Sequence, residues 1–159
     1  ANQGQADAQY NLGAMYDNGH GVSQDYEQAV QWYRKAANQG DADAQYGLGL
    51  LYHNGQGVLQ DHVRAVEWYR KAANQGIAGA QYNLGVMYMN GHGVPQDHVR
   101  AVELYRKAAK QGYAVAQYNL GAMYVNGHGV AQDHVRAMKW MKKAANQGHA
   151  DAQYYLDNT

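Results

Sequence analysis

The strongest constraint on this chain is a period. The stretch Ala80–Val94, AQYNLGVMYMNGHGV, recurs as Ala8–Val22 (AQYNLGAMYDNGHGV), Ala44–Val58 (AQYGLGLLYHNGQGV) and Ala116–Val130 (AQYNLGAMYVNGHGV), with a step of 36 residues each time. A unit that short cannot close a hydrophobic core alone, but stacked copies share a continuous one, so the period predicts a repeat array. Counted from the residue after each closing glycine, the complete units are 5–40, 41–76, 77–112 and 113–148, with 149–159 as the start of a fifth. Residues 1–4, Ala-Asn-Gln-Gly, repeat Ala73–Gly76 and read as the tail of a preceding unit, as expected of a piece cut from a longer array. The whole chain, 1–159, is then a single array.

The first half of each unit carries a helical pattern, over about residues 42–54 and 78–90 and their counterparts. Unit positions 4, 8 and 12 share one face of a 3.6-residue helix; in the third unit they are Ala80, Leu84 and Tyr88. Position 9 is always glycine (Gly13, Gly49, Gly85, Gly121). Glycine inside a helix costs about 1 kcal/mol relative to alanine, so its repetition predicts a close approach by a neighbouring helix. Asn-Gly at positions 14 and 15 ends the helix, glycine entering the left-handed conformation cheaply. A G-x-G-V-x-Q loop leads to the second helix, with Asp25, Asp61, Asp97 and Asp133 as N-caps. Its apolar set is Ala65, Val66, Trp68, Tyr69, Ala72 and Ala73, and Gly40, Gly76, Gly112 and Gly148 close it. The pattern predicts an all-α chain: a right-handed α–α superhelix, or solenoid, of four antiparallel helix pairs with partial repeats at both ends.

Several chemistries are poorly served by these residues. Cysteine is absent, the only serine is Ser23 and the only threonine is Thr159, so nucleophilic catalysis through a hydroxyl or thiol has almost nothing to use. Glutamate occurs only as Glu27, Glu67 and Glu103; the last two precede Arg70 and Lys71, and Arg106 and Lys107, at the spacing of exposed helix pairs. Equivalent histidines in adjacent units are separated by a helix-packing step of about 10 Å, too far to share an ion bound at about 2 Å. A pair within one unit, such as His92 and His98, lacks further ligands, so no metal and no cofactor is expected. The G-x-G loop has no Lys or Arg and is followed by aspartate, unlike a phosphate cradle. Acidic and basic residues balance at 13 each, and all the basic ones fall on second helices, which reads as a solvated outer face and not as a nucleic-acid site. No apolar run is long enough to cross a membrane.

L-G-x-x-Y (Leu84, Gly85, Tyr88) followed by Ala101, Tyr105 and Ala108 resembles the tetratricopeptide pattern, with a unit two residues longer. A-x-A-Q-x-x-L-G-x-x-Y-x-x-G-x-G-V, then D, A, W and K-A-A-x-x-G, resembles the Sel1-like repeat, a tetratricopeptide relative, over essentially the whole chain. The resemblance implies a non-enzymatic adaptor or scaffold acting through protein–protein contacts, often bacterial. Well-known secreted members are cysteine-rich, a branch from which this chain departs.

The four units can be compared with one another. Units two and three agree at 26 of 36 positions, and their first-helix differences concentrate at positions 1, 3, 7, 10 and 13. Positions 3, 7 and 10 form one stripe away from the packing face, as expected of a recognition surface on a shared scaffold. The stripe with position 13 comprises Asp7, Asn11, Ala14 and Asp17; Asp43, Gly47, Leu50 and His53; Gly79, Asn83, Val86 and Met89; Val115, Asn119, Ala122 and Val125. The resemblance implies a concave groove lined by these first-helix positions and by Tyr46, Tyr82, Tyr118, Asn54, Asn90 and Asn126. Such a groove is acidic at its start, apolar toward unit four, and free of the Lys and Arg that could clamp a carboxylate. Its expected ligand is a protein or peptide with apolar anchors and a basic residue near the N-terminal end. Two alternatives are a hydrolase or β-lactam-binding protein, as in some secreted relatives, and a structural spacer within a longer array. Self-association through exposed repeat ends is a further expectation.

Overall fold

The computed structural model describes residues 3–159, all the regular elements of which are helices. The elements are α1 (Gln3–Asn18), α2 (Tyr26–Asn38), α3 (Ala42–Asn54), α4 (His62–Asn74), α5 (Ala78–Asn90), α6 (His98–Lys110), α7 (Ala114–Asn126), α8 (His134–Ala145) and α9 (Ala150–Asp157). Odd-numbered elements are the first helices of the repeats and even-numbered ones the second, as the period requires. The chain divides into two compact units, one ending at Ala80 and one starting at Gln81. In the first, α1 packs on α2, α2 on α3 and α3 on α4; in the second, α6 packs on α7, α7 on α8 and α8 on α9.

The caps form where the residues demand them. The carboxylates of Asp25, Asp61, Asp97 and Asp133 accept from the amides of Gln28, Arg64, Arg100 and Arg136 at 2.8–3.0 Å. Three of these aspartates also pair with the arginine three residues on, at 3.4, 3.4 and 3.2 Å. The ion pairs therefore sit at the helix starts, where an anion also suits the helix dipole. Gly40, Gly76, Gly112 and Gly148 all have positive φ. At Gly40 the amides of Gly40 and Asp41 turn back onto the carbonyls of Ala37 and Ala36. Gly4 lies within α1, and residues 1 and 2 of the expected preceding tail lie outside the described residues.

Inside each repeat one contact sets the helix spacing. A Cβ added at Gly13, Gly49 or Gly85 would come within 2.5, 2.6 and 2.8 Å of the rings of Tyr33, Tyr69 and Tyr105. The close neighbour is thus a tyrosine ring on the second helix, seated on first-helix backbone. In the last repeat Met141 takes that seat on Gly121, its nearest atom 3.0 Å from the notional Cβ. Successive repeats meet through three further devices. Arg34 donates to the Tyr52 hydroxyl (2.8 Å), and Arg106 to that of Tyr124 (3.2 Å). The buried amides of Gln45 and Gln117 donate to the carbonyls of Ala37 and Ala109 (3.2 and 3.1 Å), while Gln75 and Gln147 donate to their oxygens at 2.8 Å. At the second glycine of the G-x-G loop, a Cβ on Gly57 or Gly129 would lie 2.3 Å from the backbone of Tyr26 or His98. That glycine is required by a positive φ and by this backbone contact together.

Gly49→Ala is expected to destabilise the chain by about 1–3 kcal/mol, because the Tyr69 ring is rigid and buried. Gly121→Ala is expected to change stability by less than about 1 kcal/mol, since Met141 can yield and alanine is the better helix former. Urea denaturation followed by circular dichroism distinguishes them. Gln117→Leu strips the carbonyl of Ala109 and the amide of Gln147 of their partner, for an expected loss of about 1–3 kcal/mol.

Candidate functional site

In the unit ending at Ala80, the variable first-helix residues share a seam with aromatic rings. Gly47 lies under the Tyr33 ring, a Cβ there reaching within 3.0 Å of it, and Gly79 under Tyr46, at 2.8 Å. The Tyr46 ring in turn lies 6.1 Å from that of Tyr69. A side chain at Gly79 would therefore have to displace the Tyr46 ring. The His53 ring, half-buried, lies 5.2 Å from His62 and 6.3 Å from Tyr69. Asp43 and Asn54 are exposed and Leu50 is half-buried. Asn54 donates to Gln56 at 3.1 Å. In the preceding repeat the position-13 residue Asp17 accepts from the Tyr33 hydroxyl at 3.1 Å, which with burial holds that phenol well above its ordinary pKa.

In the unit starting at Gln81 the same positions enclose a cavity of about 300 Å³. Its walls are Val86 and Met89 of α5 and Ala122 and Met123 of α7, with Asn90 and Asn126 at the helix ends and His128 in the following loop. Tyr82, Tyr105 and Asn119 complete it. The rings of Tyr82 and Tyr105 are 5.7 Å apart, and Tyr113 flanks Tyr82 at 5.5 Å. The Asn119 amide donates to the Tyr82 hydroxyl at 3.4 Å. Burial raises the pKa of both Tyr82 and Tyr105, and the Asn119 amide opposes the rise in each. The phenols thus stay protonated at neutral pH, and the cavity is lined by apolar side chains, phenols and amides together with the His128 imidazole, with no Lys, Arg, Asp or Glu among them.

Of the residues expected at the site, the cavity gathers Tyr82, Val86, Met89, Asn90, Asn119, Ala122 and Asn126. Asn83 and Val125 are half-buried outside it, Val115 is exposed, and Tyr118 stacks on His149 with ring centroids 4.6 Å apart. Tyr105, Met123 and His128 were not among the expected residues. A wheel drawn on the first helix alone cannot reveal Tyr105, which reaches in from the second, nor His128, which follows the Asn-Gly cap. The sequence does carry a signal for Tyr105: it seats on Gly85, so its ring must emerge beside position 6.

The histidines cluster across repeats as well as within them. The His98 ring faces that of His128 at 5.5 Å, and the buried Nε2 of His98 has no hydrogen-bond partner. Among the described residues no group of three or more His, Cys, Asp or Glu is placed to hold a metal ion. No described helix is long and apolar enough to cross a membrane.

Stacked helix pairs with glycine–tyrosine seats, and a variable first-helix face, define a repeat scaffold of the tetratricopeptide type. A family model, the Sel1 repeat, matches residues 6–41, 42–77, 78–113 and 114–149. The chain belongs to the Sel1 repeat family, whose members are generally protein–protein interaction scaffolds and typically not enzymes. Solved structures agree. A Sel1 repeat protein from Oxalobacter formigenes is 40% identical with a TM-score of 0.92, over 98% of this chain and 62% of that one. The protective antigen c5321 of uropathogenic Escherichia coli, with an SLR fold, is 37% identical with a TM-score of 0.68, over 97% of this chain and 41% of that one. Helicobacter pylori cysteine rich protein B is 26% identical with a TM-score of 0.65, over 87% of this chain and 99% of that one. The chain thus spans less than two thirds of the length of the first two. A comparison with curated protein sequences finds no match.

The raised phenols have a consequence in alkali. A group whose folded pKa lies above its unfolded value stabilises the fold in full below the unfolded pKa, here about 10, and loses that contribution as the pH rises toward the folded value. Stability is therefore expected to fall above about pH 10, and Tyr105→Phe to shallow that fall. Urea midpoints measured from neutral to alkaline pH for both proteins check it; parallel curves would contradict the assignment.

Proposed function

We propose that this chain is a non-enzymatic scaffold that holds a segment of a partner polypeptide against its first-helix face, with the α5–α7 cavity as an anchor pocket. The observation that carries the reading is the coincidence of two independent features. Val86, Met89, Asn119 and Ala122, whose positions differ between repeats, line the cavity, while the glycines that seat the second helices, Gly13, Gly49, Gly85 and Gly121, stay constant. A volume of about 300 Å³ suits one large apolar side chain. Tyr82 and Tyr105 offer rigid apolar area with polar tips, and Asn90, Asn119 and Asn126 offer amide groups that can pair with peptide backbone. With no Lys or Arg in the lining, an apolar anchor is favoured over a carboxylate.

The test is selection of peptides from a randomised library on the intact chain, followed by affinity measurements with variants. Met89→Asp with Asn119→Ala is expected to weaken selected peptides at least about tenfold, which is about 1.4 kcal/mol, with helix content unchanged by circular dichroism. Lys71→Ala, on a second helix, is expected to leave them unaffected. Peptides that bind equally well to the cavity variant, or that respond to Lys71 and not to Met89, would refute the assignment.

A further inference from the structure

The second helices carry an internal difference that the proposed anchor pocket does not use. Three of them have a half-buried tryptophan at the same position, Trp32, Trp68 and Trp140. In each, the lysine three residues later lies over the indole, with its Nζ 4.0, 4.1 and 4.8 Å from the ring centroid. In α6 that position is Leu104, while the lysine is kept as Lys107. Leucine is smaller than tryptophan, and at this place the structure has an open cavity of about 190 Å³. It is lined by Leu84, Tyr88, Arg100, Glu103, Leu104 and Lys107. Leu84 and Tyr88 supply an apolar wall on α5. Arg100 is already engaged, paired with Asp97 at 3.4 Å and donating to the Tyr88 hydroxyl at 3.2 Å. Glu103 offsets Lys107, so the cavity carries no net charge to draw an anion. What it does present is an apolar slot with the Lys107 side chain in its wall, and a lysine ammonium attracts the face of an electron-rich ring.

We propose that this cavity binds an indole-type aromatic ring supplied from outside the chain, in the place and under the lysine that the other repeats give to their own tryptophan. Leu104 is then the residue that makes the site, by leaving the space, and Lys107 the residue that selects for an aromatic occupant.

The test is titration of the intact chain with indole and with N-acetyltryptophanamide, followed by methyl NMR. Saturable shifts centred on Leu84 and Leu104 are expected, with affinity in the millimolar range for so small a ring. Lys107→Met is expected to weaken binding several-fold. Leu104→Trp, which installs the residue three other repeats carry, is expected to abolish it in a chain that still folds. Tighter binding of indole would point to a free small molecule as the natural occupant, and tighter binding of the amide to a partner's tryptophan; either supports the site. No saturable shift with either probe, or equal binding by Leu104→Trp, would overturn the proposal.

Discussion

The structure depends on a ring resting on a bare backbone. Tyr33, Tyr69 and Tyr105 each project from a second helix onto a first-helix glycine so closely that a methyl group would overlap the ring. The glycine costs helix propensity, and the buried aromatic contact it admits more than offsets that. Because the contact recurs with the period, each helix pair has the same internal spacing, and that regularity lets neighbouring repeats reuse one set of contacts. Where methionine replaces tyrosine, at Met141, the seat is looser and the core beyond it is a small cluster of Met141, Ala144 and Ala152.

On this frame the polar contacts between repeats serve mainly to fix register. A buried glutamine at position 5 reaches the last carbonyls of the preceding second helix and is held by a second glutamine from its own repeat. A misregistered pair would leave these amides and carbonyls buried without partners, at a cost comparable to a lost core side chain. The arginine–tyrosine bonds and the loop glycine against backbone add to the same specification. None of these residues varies freely between repeats, which concentrates variation on the seam between successive first helices.

The architecture was legible in the sequence because it rests on local chemistry. Capping aspartates, Asn-Gly terminators and the 4-8-12 stripe each act within a few residues of themselves, so helix limits such as Ala42–Asn54 and Ala78–Asn90 follow directly. The cavity was legible only by half. Val86, Met89 and Ala122 announce themselves by varying on one stripe, whereas Tyr105 and His128 reach the same space from another helix and a loop. The stripe also proves to be a contact surface: rings lie against Gly47 and Gly79, a contact that needs three dimensions to see.

A double-mutant cycle on Gly85 and Tyr105 addresses the tyrosine seat most directly. If the ring and the bare backbone act as one unit, Tyr105→Leu should relieve much of the destabilisation caused by Gly85→Ala, giving a coupling of at least about 1 kcal/mol in urea denaturation. Strictly additive effects of the two substitutions would contradict the account.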